Sequence, residues 1–170
     1  MYVLHKEKNM KYKNDYEYML WILGEEPNNY GKARKAFEWA AVWHSGQKRD
    51  DKKTPYITHL IKVFDIVSQV TEDKDVLNAA VLHDTIEDAN ITYQTIVDLF
   101  GTRCADIVLE LTHVKNKNGK WHSPNIKSKE AAMIKLADRL HNMSDMNAWS
   151  EERKKRYVKK TDFWTNHEEE

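Results

Sequence analysis

The ten residues Ala79–Asp88, Ala-Ala-Val-Leu-His-Asp-Thr-Ile-Glu-Asp, constrain this chain more than any other stretch. Small and apolar residues run directly into a packed ionisable group. A helix carrying Ala79–Leu82 is expected to be buried on nearly all sides, so its end delivers His83, Asp84, Glu87 and Asp88 to the edge of a core. On a continuous helix His83 faces Glu87, and Asp84 faces Glu87 and Asp88, because residues three or four apart share a face. Carboxylates crowded around an imidazole repel one another, and burying any of them costs free energy. A divalent cation is the simplest partner that would hold them together. The plain alternative is a solvated helix end with some acidic residues, and the rest of the chain has to decide between the two.

Two further polar residues sit on apolar helices. Asp138 lies inside Ile134-Lys-Leu-Ala-Asp-Arg-Leu-His-Asn-Met143, the most apolar helix of the C-terminal half. A buried Asp needs a partner or a metal. A salt bridge to Arg139 or Lys135 is the plain alternative, set aside because sequence neighbours point apart on a helix. Asn142 is four residues on and shares the Asp138 face, where its amide can orient a substrate. His59 lies early in a helix, beside its apolar stripe. His59, His83, Asp84 and Asp138 thus form a set of two imidazoles and two carboxylates from three helices. Nitrogen and oxygen donors without thiolate suit Mn²⁺, Fe²⁺, Zn²⁺ or Mg²⁺. Such an ion lowers the pKa of bound water and neutralises phosphate charge. Glu87 and Asp88 would lie just outside the ligand shell, placed to orient or deprotonate water. Lys48, Arg49, Lys115, Lys135 and Arg139 cluster around these helices and can meet phosphate or stack on a base.

Length and composition bound the remaining classes. With 170 residues, one domain with a proper core is expected. The 27 basic and 27 acidic residues leave no global basic field to recruit nucleic acid. A lone cysteine, Cys104, excludes an internal disulfide and fits a reducing cytoplasm. No apolar stretch is long enough to span a bilayer. The oligomeric state is not readable. Helical spacing recurs over Asp15–Leu23, Gly31–Gln47, Tyr56–Val70, Val76–Asp84, Ile91–Phe100, Arg103–Thr112, Ser128–Met146 and Ser150–Phe163. Lys115–Lys127 reads as a long loop, of the kind that often forms a lid or binding loop. No stretch alternates like a strand for long. The expected fold is all-α, with about seven to nine helices. Residues 1–30 read as an N-terminal extension with one helix, 31–149 as the functional domain, and 150–170 as a C-terminal helix and acidic tail packed on it.

Four segments together resemble a known family. His-Ser-Gly-Gln-Lys-Arg (44–49), Thr-Pro-Tyr-Ile-Thr-His (54–59), Leu-His-Asp-Thr-Ile-Glu-Asp (82–88) and Ile-Lys-Leu-Ala-Asp-Arg-Leu-His-Asn-Met (134–143) are similar to the HD hydrolase domain of the RelA/SpoT homologues. The resemblance runs from about Lys32 to Asn147 in the family's order and suggests a small alarmone hydrolase. It implies an HD-domain helical bundle in which His59, His83, Asp84 and Asp138 bind one Mn²⁺ ion, other divalent metals being possible. It implies that Glu87 and Asp88 handle the attacking water. Arg49, with Lys48 beside it, would stack on the base, Asn142 would contact the ribose and phosphate region, and Lys115 would lie near the phosphates. The implied reaction removes the 3′-pyrophosphate of (p)ppGpp, giving GDP or GTP and pyrophosphate. Asp50 and Ser144 stand where basic residues are common in the family, which keeps an alternative open. That alternative is an HD phosphohydrolase acting on pppApp, NADPH or a deoxynucleotide. His44 and His141 are expected to pack or to orient ligands, and His113 and His122 are unassigned.

Overall fold

The computed structural model describes Met19 and residues 30–115, 117–119 and 121–159. A 3₁₀ turn, Tyr30–Ala33, leads into α1 (Arg34–Trp43), followed by α2 (Ile57–Ser68), α3 (Lys74–Leu82) and the single turn α4 (Thr85–Asp88). Then come α5 (Tyr93–Phe100), α6 (Thr102–Leu111), α7 (Lys129–Ser144) and α8 (Glu151–Lys159). Among the described residues the fold is all-α apart from one short antiparallel hairpin, β1 (Val114–Lys115) and β2 (Trp121–His122). Among the described residues no helix is long and apolar enough to cross a membrane.

Local chemistry sets the helix starts. Asp73, Thr92 and Ser128 each accept a hydrogen bond from a backbone N–H of the first turn, at Asp75, Thr95 and Ala131 respectively. Gly101, at φ +90°, makes the sharp corner between α5 and α6. The centre of the bundle is α3, which packs against α1, α2 and α6. Ala79, Ala80, Val81 and Leu82 are completely buried, as their run of small and apolar side chains predicts. His83 follows directly on this buried run, while His59 sits in the first turn of α2 and Asp138 in the middle of α7, both of which pack against α3. Phe37, Phe64 and Tyr30 form an aromatic cluster on the other side of α2. Met19 is helical and buried in the same core, the one described residue of the expected Asp15–Leu23 helix; the rest of that helix and residues 160–163 of the expected last one lie outside the described residues.

Three expectations are corrected. The helix expected over Gly31–Gln47 ends at Trp43, because the chain turns at His44 and passes through Gly46 at φ +78°. The helix expected over Val76–Asp84 ends at Leu82: Asp84 leaves helical geometry at φ −99°, ψ 1°, and a new turn starts at Thr85. The expected Lys115–Lys127 loop holds the β1–β2 hairpin, too short for periodicity to reveal.

Candidate active site

The break after Leu82 shapes the site. His83 caps α3, and its Nδ1 lies 2.9 Å from the Ala80 carbonyl oxygen. A carbonyl only accepts, so Nδ1 carries a hydrogen and Nε2 is the nitrogen turned toward the cluster. That Nε2 lies 3.3 Å from His59 Nε2, which α2 presents from its first turn. Asp138 of α7 completes the cluster: its Oδ1 is 3.3 Å from His59 Nε2 and 3.8 Å from His83 Nε2. One donor atom from each of His59, His83 and Asp138 lies within 4.8 Å of the others, and all three residues are buried. Asp84 joins from the kink, its Oδ2 lying 2.9 Å from His83 Nε2 and 3.6 Å from His59 Nε2. Three of the four residues singled out as ligands, His59, His83 and Asp138, form one group, and Asp84 lies at its side against the two imidazoles.

The donor set fits a divalent cation. Two imidazole nitrogens and the Asp138 carboxylate face one small volume with Asp84 beside them, and a protein that buries these carboxylates needs positive charge there, from a cation or from a proton on His83. Burial opposes a proton on His83, yet the charges of Asp84 and Asp138 outweigh it and lift the imidazole to about 9. Burial works against ionised Asp138 as well, but His59, Lys135 and His83 hold its carboxyl below the usual range. Lys135 Nζ sits 3.0 Å from Asp138 Oδ2. This corrects the expectation that sequence neighbours leave Asp138 without a salt bridge: Lys135 is three residues away and shares its face. Cys104 lies buried on α6 and has no part in the cluster.

The surrounding residues fix the ligands. His59 Nδ1 is 2.7 Å from His141 Nδ1. Burial, then the charges of His59 and Arg49, pushes His141 down to about 3. His141 is therefore neutral and can accept the His59 Nδ1 hydrogen, which leaves His59 Nε2 free for the cluster. Tyr56 was not singled out from the sequence. Its hydroxyl donates to Asp84 Oδ2 and reaches Asp88 Oδ2 at 3.4 Å. The signal that could have found it is its place three residues before His59, where a helix N-terminus brings a phenol over the same cluster.

The paired acids separate. On the α4 turn, Asp88 stays beside Tyr56 and Asp84; partial desolvation, then the Asp84 and Glu87 charges, lift its carboxyl to about 6. Glu87 does not face His83, as a continuous helix would require. Its Oε2 accepts from the backbone N–H of His113 at 3.1 Å and lies 2.8 Å from His113 Nδ1. The kink at Asp84 turns it toward the hairpin, and His113 gains a role that spacing could not suggest.

Arg49 is buried although it is an arginine in a loop. The Asp51 carboxylate accepts from the Lys53 and Thr54 N–H groups and from the Thr54 hydroxyl, and the Arg49 N–H donates to the Thr54 carbonyl. These bonds hold Asp51 at about 2 and shape the loop. The Arg49 guanidinium then donates to Asn142 Oδ1 at 2.9 Å and to Asp145 Oδ2 at 3.3 Å. Asn142 Nδ2 donates to Asp138 Oδ1 at 2.7 Å and reaches the Tyr157 hydroxyl at 3.1 Å. One amide thus couples Arg49 to Asp138. Lys48 and Lys115 are exposed, Lys48 in the Arg49 loop and Lys115 on β1. Asp50 is matched by a positive charge: its carboxylate accepts from Arg153 at 2.9 and 3.1 Å and from the Trp149 indole N–H at 2.7 Å. Ser144 Oγ donates to the His141 carbonyl.

A family model described as HD domain matches residues 36–163, three quarters of the chain. This chain belongs to the HD-domain family. Its relatives within that family are consistent with one another. The guanosine-3′,5′-bis(diphosphate) 3′-pyrophosphohydrolase MESH1 of Xenopus tropicalis is 38% identical over 138 residues, covering 72% of this chain and 76% of the relative. The guanosine-3′,5′-bis(diphosphate) 3′-pyrophosphohydrolase of Aquifex aeolicus is 32% identical over 149 residues, 82% of this chain but 21% of that longer protein. A solved structure described as a metazoan ortholog of SpoT that hydrolyses ppGpp superposes with a TM-score of 0.63 at 30% identity, covering 78% of this chain and 81% of its own.

Proposed function

We propose that this chain is a metal-dependent hydrolase, with Mn²⁺ as its ion, that removes the 3′-pyrophosphate of (p)ppGpp to give GDP or GTP and pyrophosphate. The observation that carries this reading is the continuous path from Arg49 through Asn142 to Asp138. It joins a planar cation suited to a base or phosphate directly to a carboxylate of the His59–His83–Asp138 cluster. The reactions named for the MESH1 and Aquifex relatives supply the substrate. Residues 31–149 together with α8 act as one catalytic unit in this reading, working on a soluble nucleotide in the cytoplasm.

His59 and His83 through Nε2, and Asp84 and Asp138 through their carboxylates, would hold the ion. When bound, it would supply Lewis-acid polarisation of a phosphate oxygen and a lowered pKa for water. Asp88, with its carboxyl at about 6, is poised near neutral pH to take the proton of the attacking water. Glu87, held by His113, orients that water from the other side. The water oxygen bonds to phosphorus as the bond between that phosphorus and the nucleoside 3′-oxygen breaks, and the proton taken by Asp88 passes to the leaving 3′-oxygen. Arg49 receives the guanine base, and Asn142 the ribose and its phosphate. Lys48 and Lys115 add positive charge at the rim.

Turnover of ppGpp by the purified protein with added Mn²⁺ tests this, with Asp84→Ala alongside and products separated by chromatography. GDP and intact pyrophosphate are expected from the parent, and none from the variant. Release of monophosphate alone, or inertness toward ppGpp with turnover of pppApp, NADPH or a deoxynucleotide, would replace the alarmone with another substrate.

A further inference from the structure

His44 is 1% exposed and has an unpartnered nitrogen. Its place is fixed from three sides. Its backbone closes α1, with its N–H donating to the Ala40 carbonyl. Its ring stacks on Tyr56 with centroids 5.2 Å apart and 27° between the planes. Its Nδ1 lies 2.8 Å from Gln47 Oε1. The Gln47 amide cannot be reversed, because its Nε2 donates to the Asp88 carbonyl at 2.9 Å. Oε1 therefore faces His44 and accepts, so Nδ1 carries the hydrogen. Burial keeps the ring neutral, and Nε2 is left as a lone-pair acceptor.

That acceptor has no hydrogen-bond partner among the described residues. Buried polar atoms are almost always satisfied, and the exceptions mark water, ions or chemistry. The ionisable groups that act most on His44 are Asp84, His83 and His59. Its stacking partner, Tyr56, bonds Asp84, and its amide partner, Gln47, bonds Asp88. The ring with the orphaned nitrogen is thus buried beside the cluster, stacked on the phenol that bonds Asp84 and tied through Gln47 to the Asp88 backbone carbonyl.

We propose that His44 Nε2 accepts a hydrogen bond from an ordered water at the Asp84–Asp88 edge of the cluster and so holds the water that attacks phosphorus. A neutral acceptor there removes one of the two hydrogens from play. The other is directed at Asp88, the group that takes it. The step follows the hydrolysis proposed above and rests on that reading.

Three variants and one spectrum test it. His44→Phe keeps the stacked ring and deletes the acceptor. His44→Gln returns an oxygen acceptor near the Nε2 position. Gln47→Leu removes the Nδ1 partner and leaves Nε2 in place. Loss of kcat by about 10- to 100-fold is expected in His44→Phe, with KM and Mn²⁺ affinity nearly unchanged. His44→Gln should recover most of that loss, and Gln47→Leu should lose less than His44→Phe. A folded His44→Phe with the parent kcat, or equal losses in His44→Phe and His44→Gln, overturns the proposal. Nitrogen-15 NMR of the parent protein loaded with Mg²⁺ needs neither a variant nor a substrate. It should show a protonated Nδ1 and an Nε2 shifted upfield from a free pyridine-type nitrogen. An unshifted Nε2 overturns the water-holding role even if every variant unfolds. Failure of the parent to turn over ppGpp, with that Nε2 shift intact, would count against the substrate assignment and leave the water site standing.

Discussion

The floor and the wall of the site are built from different materials. The floor is His59, His83 and Asp138, three buried side chains on helices whose other faces form the core. Each is delivered by close-packed helices, and each has the atom turned away from the cluster tied down: His83 by Ala80, His59 by His141, Asp138 Oδ2 by Lys135. The wall is the Arg49–Asp50 loop clasped to the ends of α7 and α8. It is made of polar contacts, those of the buried Arg49 with Asn142 and Asp145 and those of the partly exposed Asp50 with Arg153 and Trp149. A floor set by core packing moves only if the bundle repacks. A wall set by ion pairs can be altered one side chain at a time. On the function proposed above, the chemistry falls to the first and nucleotide choice to the second.

The strongest way to break this comparison is at Asp138. Asp138→Asn keeps the shape, removes a proposed ligand and leaves Lys135 facing a neutral group. Breaking a buried charge pair costs about 3 kcal/mol or more, so the metal-free melting temperature should fall by about 10 °C. Turnover should drop by more than the ~100-fold typical of losing a group behind a ligand. Calorimetry with Mn²⁺ should show weakened binding. Parent-like metal affinity would mean that the floor is a polar core feature. Next in size is Tyr56→Phe. It deletes only the hydroxyl that donates to Asp84. A loss of about 10-fold or more in turnover is expected, with about 1 kcal/mol of stability. Unchanged turnover would show that Asp84 holds its place without the phenol.

The same division explains what could be read in the sequence. Helical spacing revealed the bundle, and polar residues stranded on apolar helices revealed His59, His83 and Asp138, because burial makes an unpaired charge costly and therefore conspicuous. Tyr56 was hidden because a phenol at a helix start is chemically unremarkable until its partner is known. The break at His83–Asp84 was hidden because the helical pattern continues through it, and the bond of Glu87 to His113 was hidden with it. Asp50 was read as lost positive charge beside Arg49. Its pairing with Arg153 spans 103 positions, and no local rule reaches that far. Trp149 and Tyr157 entered the site by the same route, through contacts set by how α8 returns across the bundle.

The smallest expected effect sharpens the role of the wall. Asp50→Ala removes the clasp to Arg153 and Trp149 while leaving Arg49, Asn142 and the floor intact. Half-exposed ion pairs contribute about 1 kcal/mol or less, so stability should change little. The Arg153 hydrogen bond is the main cause that holds Asp50 below the usual carboxylate range. The clasp therefore stabilises the fold above the unfolded value, about 3.9, and its contribution fades as pH falls through the lower folded value. Freed from the loop, α8 no longer fixes Tyr157 against Asn142, and KM for the nucleotide should rise by about 3- to 10-fold with kcat nearly unchanged. A fall in kcat at constant KM would place the clasp with the floor, and the separation between the two regions would fail.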